Sequence, residues 1–147
     1  MPAVNYEEIL TTFKARYLSL NSHNLNQLSI MYTDNVVFID PVNKFTNVAS
    51  LQNYFEALYQ NLTSCTFKFE EETYINPQGV ATIPWQLTYS HLKLNGNQPI
   101  QLNGISLVKF LENGKAFYHQ DYFDLGSMLY EHIPVLGYLV KKLKHNI

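Results

Sequence analysis

Val36-Val37-Phe38-Ile39-Asp40-Pro41-Val42-Asn43 drives four consecutive apolar residues into an acid and then a proline. The apolar run predicts a buried strand over residues 35–39, and Pro41 marks where it stops. Asp40 then has two readings. It is the acceptor of a turn that ends the strand, or it is a carboxylate that the strand delivers to the inside of a pocket.

The flanks supply the context. Upstream, Ile9, Leu10, Phe13, Tyr17 and Leu20 share one helical stripe, and Asn5 with Glu8 has the form of a capping box. A short second helix covers Leu25, Leu28 and Met31, with Asn24 as candidate cap. Downstream, a loop from Asp40 to about Asn47 precedes a third helix, where Leu51, Tyr54, Phe55, Leu58 and Leu62 recur at helical spacing. From Ser64 onward the period changes to two, and strands are expected over about 64–75, 79–93, 100–112 and 115–124. Their separators are Asn76-Pro77-Gln78-Gly79, Asn95-Gly96-Asn97 and Glu112-Asn113-Gly114-Lys115. The last holds Asn-Gly between two strand patterns, a strong hairpin signal. Helix, helix, strand, helix and then a meander predicts an α+β fold, with helices on one face of a curved antiparallel sheet. The tail from Gly126 to His145 reads as helical segments broken near Pro134 and Gly137.

Composition narrows the class. The 147 residues are 46% hydrophobic, 14% aromatic and 15% charged, which suits a single domain over residues 1–147 with a real core. Eleven Tyr and nine Phe favour strands and an apolar cavity carrying a few polar tips. A formal charge of −2 gives no electrostatic reason to expect nucleic acid. The single Cys65 excludes an intrachain disulfide and fits a reducing compartment. No apolar run approaches a membrane span, and MPAVNYEEIL lacks the features of a signal peptide. A soluble, cytoplasmic protein is expected, and the sequon Asn61-Leu62-Thr63 is then accidental.

The element order, with Phe-Ile-Asp-Pro closing the first strand, resembles the nuclear transport factor 2-like superfamily, in its SnoaL-like and ketosteroid-isomerase-like branches. The sharpest match is Asn21-Ser22-His23-Asn24-Leu25, Tyr32-Thr33-Asp34-Asn35 and Asp40-Pro41-Val42. The resemblance implies a cone-shaped curved antiparallel sheet packed against N-terminal helices, here with an extra C-terminal helical tail. It implies that Asp40 is a general base. It places the oxyanion-binding tyrosine at Tyr17, or Arg16 in an ungapped match, and a second donor at Ser106. His119, Asp121 and Phe123 fall on the concave face, and His-Asp pairs on this scaffold serve acid/base chemistry.

Residues two apart on a strand point to one side, so His119 and Asp121 are neighbours in either orientation. Trp85 and Tyr89 alternate along one strand as cavity wall, Phe55 lies in the third helical stripe, and His91 reads as a strand-end surface residue. His91, His119 and Asp121 lack the spacing of a metal site, so neither metal nor other cofactor is expected. Cys65 reads as a small buried residue. The basic run Lys141-Lys142-Leu143-Lys144-His145 suits a helix C-terminus. The expected function is small-molecule acid/base catalysis, of the isomerase, cyclase or dehydratase sort, on a ketone-bearing or ring-like molecule. The alternative is non-catalytic binding or carriage of an apolar small molecule. The aromatic-rich open sheet points to a homodimer.

Overall fold

Helix α1 (Tyr6–Ser19) begins where the sequence places its cap: the Asn5 side chain accepts the Glu8 amide at 3.1 Å. Its buried residues are Leu10 and Phe13. A turn of 3₁₀-helix (Leu25–Gln27) leads into the short α2 (Leu28–Met31). Asn24 does not cap that turn. Its side chain instead accepts from the Asn21 amide and donates to the Ser19 carbonyl, so it holds the end of α1. Strand β1 (Tyr32–Ile39) follows directly, and the two-residue β2 (Lys44–Phe45) folds back on it. Asn47 caps α3 (Val48–Asn61) by accepting the Ser50 amide at 2.8 Å, and Leu51 and Phe55 are its buried residues. These coordinates are a computed structural model and describe residues 2–147.

The period-two half of the chain forms β3 (Leu62–Phe69), β4 (Tyr74–Ile75), β5 (Val80–His91), β6 (Ile100–Phe110) and β7 (Ala116–Phe123). The stretch expected as one strand over 64–75 is two, because the chain leaves the sheet at Glu71–Thr73. On β5 the neighbour changes from β3 at Trp85 to β4 at Thr82, and Pro84 stands between them, where a missing N–H costs least. The order across the sheet is β2-β1-β7-β6-β5-β3, with β4 also on β5. The meander pairs antiparallel throughout, as the turn signals require. The expectation of an all-antiparallel sheet is corrected at one pair, since β1 runs parallel to β7 and the sheet is mixed.

The sheet stays open and forms an α+β cone against the helices. One buried cluster joins Leu10, Phe13, Leu28 and Leu51 to Val36, Phe38 and Val108. A second comprises Trp85, Tyr89, Leu94, Ile100 and Leu102, and Met128, Leu129 and Ile133 pack against it. Those three come from the tail, which contains α4 (Leu125–Met128), a 3₁₀ turn (Tyr130–His132) and α5 (Leu136–His145). The break before α5 falls at Val135, with φ 68° and ψ −58°, and the Leu136 amide reaches the Pro134 carbonyl at 2.8 Å. That geometry is a strained γ-turn centred on a β-branched residue. Cys65 is exposed on β3, contrary to the buried role expected of it. No helix among the described residues is long and apolar enough to cross a membrane.

Candidate active site

Alternation along β5, β6 and β7 decides which side chains meet inside the cone. The registers Ile83↔Ser106, Ser106↔Asp121 and Val108↔His119 put Ser106, His119 and Asp121 on one face, with Trp85 alongside. Trp85 Nε1–H donates to Ser106 Oγ at 2.9 Å, and the Ser106 hydroxyl donates to Asp121 Oδ1. His119 Nε2 lies 2.8 Å from the same Oδ1, and Tyr32 Oη lies 2.8 Å from His119 Nδ1. With Oδ1 accepting twice, the network assigns the ring proton to Nε2. Nδ1 then accepts from the Tyr32 hydroxyl.

His119 is only 2% exposed, and its ring lies among Phe13, Tyr17, Tyr32 and Phe38, with centroids 4.6–6.3 Å away. Asp121 retains 13% side-chain exposure, and no hydrogen bond among the described residues reaches its Oδ2. The indole that begins the chain of donors is seated by Gly104. A Cβ there would stand 2.3 Å from the Trp85 ring, so only glycine lets the indole lie against β6.

Tyr17 faces inward, packed on Phe67 and Phe69 at 5.2 and 5.8 Å, whereas Arg16 is exposed. Of the two candidates on α1, the tyrosine is therefore the one inside. Burial, and after it the negative charge of Asp121, raises the Tyr17 pKa well above its ordinary value. The same two causes act on Tyr32. Both hydroxyls thus remain neutral donors across the physiological range.

Among the described residues no hydrogen bond joins Asp40 directly to this group. Its Oδ1 accepts from the amides of Val42 and Asn43 at 2.8 and 2.7 Å, and its Oδ2 accepts from Tyr54 at 3.1 Å. It thereby holds the 40–43 turn and ties it to α3. Tyr54 feels both acids: burial, then Asp40, and more weakly Asp121 push its pKa upward.

The structure thus brings Tyr17, Trp85, Ser106, His119 and Asp121 together. Phe123 flanks them, with its ring 6.1 Å from Trp85. Phe55 packs behind Phe38, at 6.1 Å, in the helix-side core. Tyr89 sits further along β5, where its hydroxyl donates to the Met128 carbonyl and fastens the tail. Two contributors escaped the sequence reading. Tyr32 shares the parity of Val36 and Phe38 on β1, which was the available signal. Tyr54 lies in the α3 stripe, but nothing local pairs it with an acid fourteen residues earlier.

A SnoaL-like domain model matches residues 13–119, more than half of the chain. The chain belongs to the SnoaL-like family. No curated protein matches this SnoaL-like chain in sequence. Solved structures match in fold. A candidate SnoaL-like polyketide cyclase from Shewanella putrefaciens CN-32 superposes with TM-score 0.66 at 16% identity, covering 87% of this chain and 84% of its own. A hypothetical protein of ketosteroid isomerase-like fold from Catenulispora acidiphila DSM 44928, in complex with trimethylamine, gives 0.68 at 16%, covering 83% and 89%. TerC, co-crystallised with polyporic acid, gives 0.68 at 11%, covering 84% and 94%. At these identities the likeness shows the shared fold, and the chemistry must be argued from this SnoaL-like protein's own residues.

Proposed function

We propose that this SnoaL-like protein is a cofactor-independent acid/base catalyst of the isomerase, cyclase or dehydratase type, acting on a ketone-bearing, ring-like molecule. The reading is carried by one observation. The carboxylate of Asp121 has two donors on Oδ1 and none on Oδ2, and it lies close enough to the buried Tyr17 phenol for its charge to raise the pKa of that hydroxyl.

In this reading Oδ2 takes a proton from the carbon next to the carbonyl. The electron pair moves onto the carbonyl oxygen, and the Tyr17 O–H donates to the oxyanion that forms. Ser106 is not that donor, because its single proton is already given to Asp121. His119, held by Tyr32, keeps Asp121 in one orientation, and the proton returns from Asp121 to another carbon. Trp85, Phe123 and, from deeper in the core, Phe55 supply apolar walls. Tyr89 holds the Met128–Ile133 cover that a ligand displaces on entry. Asp40, the base that the resemblance implies, serves here through Tyr54 by setting the end of β1. Small organic ligands bound by proteins of the same fold support a small-molecule substrate. We further take the protein to be one domain over residues 1–147, cytoplasmic and homodimeric.

The test is wash-in of deuterium from heavy water into a panel of cyclic ketones, followed by NMR. Wild type exchanges the protons next to the carbonyl of at least one ketone, and Asp121→Asn does not. Asparagine keeps an Oδ1 acceptor for Ser106 and His119, so the fold survives. Exchange by Asp121→Asn at the wild-type rate would refute the assignment. The second reading, a non-catalytic carrier, is favoured by the aromatic cluster of Tyr17, Phe67 and Phe69, which offers an apolar ligand contact and no acid or base. It is the outcome if wild type binds ketones without exchanging their protons.

A further inference from the structure

Asp121 keeps a negative charge inside the fold with no cation to balance it. Burial first, and then this charge, raises the pKa values of Tyr17 and Tyr32. Among the described residues no lysine or arginine pairs with Asp121, and its one ion-pair neighbour is His119. That imidazole is neutral, because of what Tyr32 needs. Tyr32 Oη has no hydrogen-bond partner among the described residues other than His119 Nδ1, 2.8 Å away. The phenol proton therefore goes to Nδ1, which must be bare to accept it, and the single ring proton is left on Nε2 toward Asp121. Ser106 adds a dipole and no charge. A carboxylate at 13% side-chain exposure ordinarily has a charged partner or gives up its charge.

The remaining neighbours sharpen the imbalance. The Tyr17 ring lies 6.3 Å from that of His119, Phe67 lies 5.2 Å from Tyr17, and Trp85 lies 5.4 Å from Phe67. Trp85 then returns to Asp121 through the Ser106 hydroxyl. His119, Tyr17, Phe67, Trp85 and Ser106 thus close a circuit that begins and ends at one carboxylate, and none of them is positively charged. Aromatic faces attract cations, most strongly where water is excluded, and both Tyr17 and Trp85 are removed from water. Carboxylate and rings therefore favour the same guest, one that brings the missing positive charge.

We propose that the ligand of this site is cationic: a ketone in its ammonium form, with the charged nitrogen bonded to the carbon next to the carbonyl. The ammonium balances Asp121 and lies against Tyr17, Phe67 and Trp85. The C–H bond that it acidifies is presented to the same carboxylate. Proton removal breaks that C–H bond, forms an O–H bond on Asp121 and moves the electron pair onto the carbonyl oxygen, leaving the cation beside an enolate that it also stabilises. The inference rests on Asp121 as the base proposed above and names the substrate class for it.

Isothermal titration calorimetry at fixed ionic strength tests it with two rings of one shape. One is the 1,1-dimethyl-3-oxopiperidinium ion, and the other is 3,3-dimethylcyclohexanone, with carbon in place of the charged nitrogen. Wild type binds the cation about tenfold more tightly or better. Asp121→Asn binds the two rings equally. Phe67→Leu leaves the carboxylate and its donors in place, so it binds the cation several-fold more weakly and the neutral ring unchanged. It reads the site even where Asp121→Asn fails to fold. Equal or tighter binding of the neutral ring by wild type overturns the proposal, as does binding of neither. A preference for the cation that survives Asp121→Asn overturns it too. Deuterium exchange on the same rings separates this proposal from the catalytic reading. Exchange of the neutral ring alone keeps Asp121 as a base and overturns the cationic substrate. Preference for the cation with exchange of neither ring supports cation recognition and overturns catalysis.

Discussion

Asp40 and Asp121 differ in what their second carboxylate oxygen meets. Asp40 Oδ2 accepts from Tyr54 after Oδ1 has taken two backbone amides, while Asp121 concentrates both of its donors on Oδ1. The first arrangement holds backbone, and the second leaves an acceptor for something else. Replacing Asp40 by alanine orphans two amides and a phenol, and we expect a loss of about 1–2 kcal/mol in denaturant unfolding. Asp40→Asn keeps the amide acceptor and should lose less than Asp40→Ala. If both variants match wild type, the turn does not depend on the side chain. The identity of each acid was legible in the sequence, and so was the adjacency of His119 and Asp121, which follows from strand alternation. What Asp40 binds was not, because its partner Tyr54 is brought by the packing of α3 on β1.

The elements were legible where local signals agree. Asn5 and Asn47 begin helices by accepting the third amide onward, and Asn113-Gly114 turns β6 into β7 with Gly114 at φ 89°. Where the tail breaks was read from Pro134 and Gly137, but the residue that bears the strain is Val135 between them. A β-branched side chain at positive φ costs about 1–3 kcal/mol, and this one is 76% exposed, so it recovers little by burial. Val135→Gly removes the clash and adds about 0.5–1 kcal/mol of chain entropy to the unfolded state. We expect a net gain near 1 kcal/mol, read as a higher denaturant midpoint at unchanged slope. A lower midpoint would mean that the γ-turn is sustained by contacts of the valine itself.

At the scale of the molecule, periodicity revealed the α+β order but not the neighbour of β1. Alternation tells which residues share a face and is silent on strand direction. The parallel pairing with β7 therefore emerges only when the meander has curled round the helices. That curling has a thermodynamic consequence, because it carries tyrosines from α1, α3, β1 and β5 inward together. Burial is the leading cause that raises the pKa values of Tyr17, Tyr32, Tyr54, Tyr59 and Tyr89, the last to about 12 from an ordinary 10.0. Below pH 10 these phenols are protonated in both the folded and the unfolded chain, so they confer no pH dependence. Above it the unfolded chain sheds their protons first, and stability falls with rising pH. The slope is at most about 1.4 kcal/mol per pH unit for each tyrosine whose ionisation the fold blocks. Tyr89 stops contributing above about pH 12, and the more deeply held phenols continue. Unfolding followed by circular dichroism should therefore coincide with a steep rise in tyrosinate absorbance. Tyrosine ionisation that runs to completion near pH 10 while the circular dichroism stays native would show that the phenols are open to water in the folded protein. The aromatic interior on which the proposed chemistry depends would then be wrong.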